Sequence, residues 1–166
     1  MKLNLGCGKK LWDGFVNIDA VGSGAPVEAD IRKLPYEDEA AEEIHAIHVF
    51  EHFYPKDVMA VLAEWKRVLQ PGGLLVLELP CYDKVRLWIA QDGPQNLTLW
   101  ALYGDPRTHN SEHDLHKWCW SAADLKDVID HAGFEGIQLL EPLFHVKQRD
   151  MRLEARKHAD IGRPEN

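Results

Sequence analysis

The sequence is poor in the residues that build disulfide frameworks and cysteine-based metal sites. Its three cysteines, Cys7, Cys81 and Cys119, stand far apart and show none of the paired spacings of zinc sites or secreted scaffolds. No apolar run approaches the ~20 residues that a membrane span requires. The chain begins inside its first predicted strand, so no signal peptide is expected. We therefore predict a cytoplasmic protein without a membrane partner.

Positive charge is also scarce. Lys and Arg number 19 against 27 Asp and Glu, which gives a formal net charge of −8. This balance gives no support to nucleic-acid binding, which depends on basic surface.

The 166 residues suit one domain with a single core, and no repeat or linker divides them. We predict a single domain over residues 1–166 that acts on a small molecule as a monomer or homodimer.

Glycine, by contrast, is present where a ligand needs it. The segment Lys2 to Leu5 alternates polar and apolar side chains and runs into Gly6-Cys7-Gly8. A strand that ends in Gly-x-Gly presents bare backbone at the edge of a sheet. A second apolar run ends at Asp19, and an ionised Asp can accept hydrogen bonds from both hydroxyls of a ribose. The pattern predicts a nucleoside-containing cofactor across the carboxyl ends of parallel strands.

The fingerprint of dinucleotide-binding proteins is incomplete in this segment. Lys9-Lys10-Leu11 follows Gly8, so the third glycine of that fingerprint is missing. Asp19 comes only 11 residues after Gly8 (19 − 8), which is too few for a crossover helix and a strand. A nicotinamide-dependent oxidoreductase is therefore the weaker alternative. The first crossover is predicted to be a loop or a single helical turn.

Five motifs follow one another in the first half of the chain. They are Leu-Asn-Leu-Gly-Cys-Gly (3–8), Gly-Phe-Val-Asn-Ile-Asp (14–19), Glu-Ala-Asp-Ile (28–31), His-Val-Phe-Glu-His (48–52) and Trp-Lys-Arg-Val-Leu-Gln-Pro-Gly-Gly (65–73). In this order they resemble the class I methyltransferases that use S-adenosylmethionine, and most closely the small bacterial type-11-like branch. The resemblance implies a three-layer, Rossmann-like α/β fold. Its sheet would be mostly parallel and seven-stranded, with an antiparallel last strand.

The resemblance also implies the cofactor, S-adenosyl-L-methionine, with S-adenosylhomocysteine as product. It places Asp30 near the adenine amino group and the backbone of Ile31 against the ring, although Asp30 also suits a surface turn. The expected cofactor-binding residues are Asn4, Gly6, Cys7, Gly8, Asp19, Ala20, Asp30, Ile31, His48, Val49 and His52.

Two histidines follow the fourth predicted strand, where ligands collect in a doubly wound sheet. His48 and His52 are candidate catalytic residues, because imidazole titrates near neutral pH and can take a proton from a hydroxyl or an amine. The alternative is that they pack against the cofactor or bond backbone.

An aromatic, turn-rich insert spans residues 81–120 and is predicted to cover the substrate pocket. It could equally complete the core or form a dimer surface. The spacing of His109, His113 and His116 invites a metal, but no cysteine pair and no His-Glu-x-x-His helix accompanies it. We predict a polar pocket wall and no metal site. The candidate substrate-binding residues are Tyr82, His113, His116 and Trp118.

Two further local predictions concern the sheet. The acidic residues 37–43 are predicted as a loop or frayed helix, and residues 149–156 as a last strand that is exposed on one face.

The predicted activity is methyl transfer to an oxygen or nitrogen of a small-molecule acceptor. The resemblance suggests a sugar or glycan precursor. A non-catalytic, cofactor-binding module with the same fold remains the alternative.

Overall fold

The computed structural model describes residues 1–107 and 114–159, which form one seven-stranded sheet in the order β3-β2-β1-β4-β5-β7-β6. The strands are β1 (Lys2–Leu5), β2 (Val16–Asp19), β3 (Val27–Glu28), β4 (Ala41–Ile47), β5 (Leu69–Pro80), β6 (Phe134–Leu140) and β7 (Asp150–Lys157). Strands β1 to β5 are parallel, and β7 is antiparallel to both β5 and β6. The predicted fold class is confirmed.

Within the described residues, four helices accompany the sheet. They are α1 (Val58–Val68), α2 (Tyr82–Asp92), α3 (Asn96–Tyr103) and α4 (Ala122–His131), and a 3₁₀ turn covers Phe50–His52. The apolar faces of α1 and α4 form one core with the apolar face of the sheet. Trp65 of α1 is fully buried there, and its indole N–H donates to the carbonyl of Ile31 at 2.9 Å. In the described ranges, no helix combines the length and apolarity needed to cross a bilayer.

The opposite face of the sheet is polar and is covered by loops. Asn17, Asn4 and His45 lie side by side in one row across β2, β1 and β4. Trp12 packs against His45 with ring centroids 5.4 Å apart and stacks on Phe144 at 4.9 Å. The layer on this face therefore consists of the loop after β1 and the loop before β7.

Side-chain amides fix the first crossover, which contains no helix. The Asn4 amide donates to the Lys10 carbonyl at 3.1 Å and to Oδ1 of Asn17 at 2.8 Å. The Asn17 side chain accepts from the Trp12 N–H at 2.9 Å and donates to the Trp12 carbonyl at 3.1 Å. The predicted loop is confirmed, and these bonds satisfy backbone groups that a helix would have satisfied internally.

Two local predictions were wrong. Residues 37–43 are not all loop, because β4 begins at Ala41, which pairs with Leu69 of β5. The last strand is not exposed on one face. It lies between β5 and β6 in the sheet, and side chains on both of its faces are largely buried.

Candidate active site

The chain bends at Gly6 and Gly8 directly after β1. Both residues have positive φ, +63° and +51°, a region that favours glycine. The Val49 side chain fills the space that a Cβ on Gly6 would need, whereas a Cβ on Gly8 would meet nothing within 4 Å. Gly6 therefore packs against the segment after β4, and Gly8 leaves its backbone open to a ligand.

The carboxylate of Asp19 lies beside this bend. Its Oδ2 accepts from the Gly8 N–H at 2.6 Å and its Oδ1 accepts from the Ala20 N–H at 2.7 Å. An ionised carboxylate has about four acceptor positions, so each oxygen retains capacity for one hydroxyl. Open backbone next to such a carboxylate fits the adenosine part of S-adenosylmethionine.

Cys7 lies between the two glycines and is buried. Burial, with the nearby charge of Asp19, raises the pKa of its thiol. Cys7 is therefore a neutral filler of the bend rather than a nucleophile.

Three other predicted cofactor residues have partners within the protein. Asn4 is only 3% exposed and its amide fixes the crossover. Asp30 pairs with Arg32 through two side-chain bonds, Nε to Oδ1 at 2.9 Å and Nη2 to Oδ2 at 2.8 Å. The Ile31 carbonyl accepts from the Trp65 indole. Their contacts with the cofactor stay predictions, and Asp30 would have to share its carboxylate with Arg32.

A cavity of about 300 Å³ opens where β4 and β5 end. Its lining combines polar, charged and aromatic side chains: His48, His52, Trp100, Asp105, Asp114, His116, His145 and Arg149. The structure thus brings three of the predicted site residues together, His48, His52 and His116. Tyr82 and Trp118, each 46% exposed, are not among the lining residues. His113 and His109 lie outside the described residues.

His48 has an uncommon backbone conformation, with φ +56°. Its ring lies between two buried carboxylates, with Nδ1 2.9 Å from Oε1 of Glu51 and Nε2 3.5 Å from Oδ2 of Asp150. Burial alone would lower the pKa of His48, but the two carboxylates outweigh it and raise that pKa. His48 is therefore protonated at neutral pH. Its geometry suits charge balance better than the proton acceptance predicted for it.

Asp150 is the second carboxylate beside His48. Burial would raise its pKa, but His48 and Arg149 outweigh this effect and lower the pKa to about 2. Arg149 Nε lies 2.6 Å from Oδ1 of Asp150, and the Val146 N–H donates to Oδ2 at 3.1 Å. This ionised Asp150 thus connects the cavity to the loop before β7.

The same loop is fixed by Glu78, a residue whose role the sequence analysis missed. Glu78 is fully buried near the end of β5 and accepts from the N–H groups of Leu143 and Phe144, each at 2.9 Å. His145 follows Phe144 and lines the cavity, and its Nδ1 lies 3.6 Å from Oε1 of Glu78. Glu78 is the single acidic residue in the apolar run 74–79, and this contrast was the signal in the sequence that could have identified it. Nothing in the sequence marked His145, Arg149 or Asp150.

The insert over residues 81–120 contributes to the cavity wall through Trp100 and Asp105. Its two ends meet, since Cys81 forms an isolated parallel bridge with Trp120 and the Tyr82 N–H donates to the Trp120 carbonyl at 2.8 Å. Trp100 also carries the Arg107 guanidinium 4.2 Å from its ring centre. The role of the insert as a cover over the substrate stays a prediction.

Comparisons with known proteins agree with this picture. A family profile described as a methyltransferase domain matches residues 13–77. No curated protein matches the chain at the sequence level. Among solved structures, the CurJ carbon methyltransferase shares 16% identity at a TM-score of 0.62, over 95% of this chain and 48% of its own. This chain thus spans about half of that protein.

Two further structures match along most of their length. A methyltransferase from Thermotoga maritima, described as a possible histamine N-methyltransferase, has 15% identity and a TM-score of 0.60, with 94% of this chain and 81% of its own covered. A S-adenosylmethionine-dependent methyltransferase from Methanosarcina mazei has 19% identity and a TM-score of 0.60, with 95% and 92% covered. Residues 13–77 thus match a methyltransferase-domain profile, and the fold is the one found in these solved methyltransferases.

Proposed function

We propose that this protein is a class I S-adenosylmethionine-dependent methyltransferase that acts on an oxygen or nitrogen of a small polar acceptor, with a sugar or sugar derivative as the first class to test. The observation that carries the proposal is the polar cavity of about 300 Å³ at the strand ends. It adjoins the cofactor bend, because Gly6 packs against Val49, the neighbour of His48. Bound S-adenosylmethionine supplies an electrophilic methyl group, so the protein chiefly positions the acceptor and excludes water.

Two imidazoles in the cavity are arranged to accept a proton. Nδ1 of His52 lies 3.0 Å from the Leu115 carbonyl and Nδ1 of His116 lies 2.9 Å from the Ala101 carbonyl. A carbonyl oxygen only accepts, so in both rings the proton is on Nδ1 and the lone pair is on Nε2. Burial lowers the pKa of His116, which keeps that ring neutral. His52 and His116 therefore suit the acceptance of a hydroxyl or ammonium proton better than His48 does.

Trp100 gives the cavity an apolar wall among charged groups. One aromatic surface beside several hydrogen-bonding groups suits a ring that has an apolar face and hydroxyls at its edge, as a sugar has. A purely hydrophobic acceptor would leave the polar and charged side chains of the lining without partners, so it fits the cavity poorly.

The test is methyl transfer from a labelled donor to a panel of monosaccharides, sugar phosphates, amino sugars and simple amines. We expect transfer to a sugar hydroxyl or amine. Trp100→Ala should raise the acceptor KM at least about tenfold, since burial of an aromatic ring contributes ~1.5–3 kcal/mol. Trp88→Ala is the matched control, because Trp88 lines a different cavity. Tight binding of S-adenosylhomocysteine without transfer to any acceptor would favour the non-catalytic module.

A further inference from the structure

We infer that Glu51, His52 and His116 form a binding site for a divalent transition-metal ion of the zinc type. Each residue offers one ligand atom, and the three atoms lie within 4.8 Å of one another. Two of the three side chains, His52 and His116, line the cavity, while Glu51 lies buried behind them. This inference does not depend on the identity of the methyl acceptor. A bound ion would occupy the two Nε2 atoms that the proposed function uses to accept a proton, so the ion and the proton compete for them.

The buried carboxylate of Glu51 is the first argument. Glu51 is fully buried, and its Oε1 is paired with the His48 ring, whose Nδ1 lies 2.9 Å away. Its Oε2 has no hydrogen-bond partner in residues 1–107 or 114–159. A buried carboxylate oxygen without a partner is costly, and a bound cation would satisfy Oε2.

The preset tautomers of the two histidines are the second argument. His52 and His116 each direct Nδ1–H to a backbone carbonyl, that of Leu115 and that of Ala101. Histidines that ligate a metal usually donate their other ring N–H in this way, which fixes the ring and leaves the remaining nitrogen free. The rings pack edge to face with centroids 4.9 Å apart. Both free nitrogens are thereby available to one ion beside Glu51.

The geometry and the donor types define the ion. Donors at about 2.0–2.2 Å from one tetrahedral zinc lie roughly 3.4 Å apart, so the 3.9 Å between His116 Nε2 and Glu51 Oε1 needs only a small side-chain adjustment. Two imidazoles with one carboxylate favour Zn²⁺, Co²⁺ or a similar ion over Mg²⁺ and Ca²⁺, which prefer oxygen ligands.

The pattern in the sequence had pointed elsewhere. The spacing in the sequence groups His116 with His109 and His113, both of which lie outside the described residues. The structure supplies different partners, because the 3₁₀ turn Phe50–His52 brings Glu51 and His52 to His116 from a distant part of the chain.

The experiment titrates Co²⁺ into chelator-treated full-length protein and records the visible d–d absorption, with Zn²⁺ calorimetry in parallel. We expect one ion per chain. Glu51→Gln, His52→Asn and His116→Asn should each weaken binding at least about tenfold, that is ~1.4 kcal/mol. His131→Ala is the matched control, because His131 is an exposed histidine that bonds only the Asp127 carbonyl within the described chain. It should bind the ion as the wild type does.

Each variant is first checked for cooperative urea unfolding and for affinity toward S-adenosylhomocysteine. His52→Asn keeps the inference testable if Glu51→Gln fails to fold, because His52 is only partly buried. Absence of a one-to-one complex with the wild type would overturn the inference. Binding that is equally strong in all folded ligand variants would overturn it as well, since the ion would then lie elsewhere. Neither result would bear on cofactor binding, which is measured separately.

Discussion

The Asp19 carboxylate has a structural role in the bend after β1 and a proposed role in cofactor binding. It accepts hydrogen bonds from the Gly8 and Ala20 N–H groups, which shapes the bend after β1. We propose that its remaining acceptor capacity is used by the ribose hydroxyls of the cofactor. One side chain at the end of β2 would then both fix the open backbone and bind the cofactor.

Substitution of Asp19 tests that double task. We expect Asp19→Ala to weaken S-adenosylhomocysteine binding by about 10- to 100-fold, because a hydrogen bond to a charged group contributes ~1.5–3 kcal/mol. Isothermal titration measures the change. Glu28→Ala is a matched control, since Glu28 accepts from the Gly22 and Gly24 N–H groups in the next loop in the same manner. Equal affinity losses in both variants would indicate loop disorder rather than a ribose contact.

At the scale of elements, two asparagines take the place of the first crossover helix. Asn4 and Asn17 bond to each other and to the backbone of Lys10 and Trp12. Because Asn4 is buried, these bonds lie in a medium where an unmade bond is costly. A short loop can thus cover the polar face of β1 and present the glycine bend in one conformation.

Asn17→Ala should lower the free energy of unfolding by about 2 kcal/mol, because it removes the Oδ1 acceptor of the Trp12 N–H and of one of the two hydrogen bonds of the buried Asn4 amide. Urea unfolding followed by circular dichroism measures this. Gln138→Ala changes an exposed amide in the same row of the sheet and should have little effect. If the two variants lost the same stability, the asparagine pair would not fix the crossover.

What the sequence could predict at this scale depended on how local the signal was. The bend after β1 and the missing crossover helix follow from neighbouring residues, and both were predicted. The burial of β7 was not, because it arises from pairing with β5 and β6, and β5 is distant in the chain. The cavity lining joins His48, Trp100 and Arg149, which only the tertiary fold brings together.

At the scale of the whole molecule, buried charges connect the site to stability. Asp150 joins β7 to the cavity through Arg149, Val146 and His48. It is the end of a buried chain of charges that continues through His48 to Glu51. Protonation of Asp150 should therefore loosen the loop before β7 together with the cavity.

The pH dependence of unfolding tests this. The folded-state pKa of Asp150, about 2, lies below its ordinary value of 3.8, so its contribution is present above pH 3.8 and is lost as the pH falls toward 2. The contribution is on the order of 2 kcal/mol. Asp150→Asn should be less stable than the wild type at neutral pH and should lose less stability between those two pH values. Asp127→Asn, at an exposed site on α4, should follow the wild-type curve. Parallel curves for wild type and Asp150→Asn would contradict the assignment.

The central claim is that the bend at Gly6 and Gly8, with Asp19, binds the adenosine of S-adenosylmethionine. Calorimetric titration of the wild-type protein with S-adenosylhomocysteine, and with NAD in parallel, tests it most directly. We expect one S-adenosylhomocysteine to bind per chain and no measurable heat on titration with NAD. Binding of NAD alone, or of neither nucleotide, would contradict it.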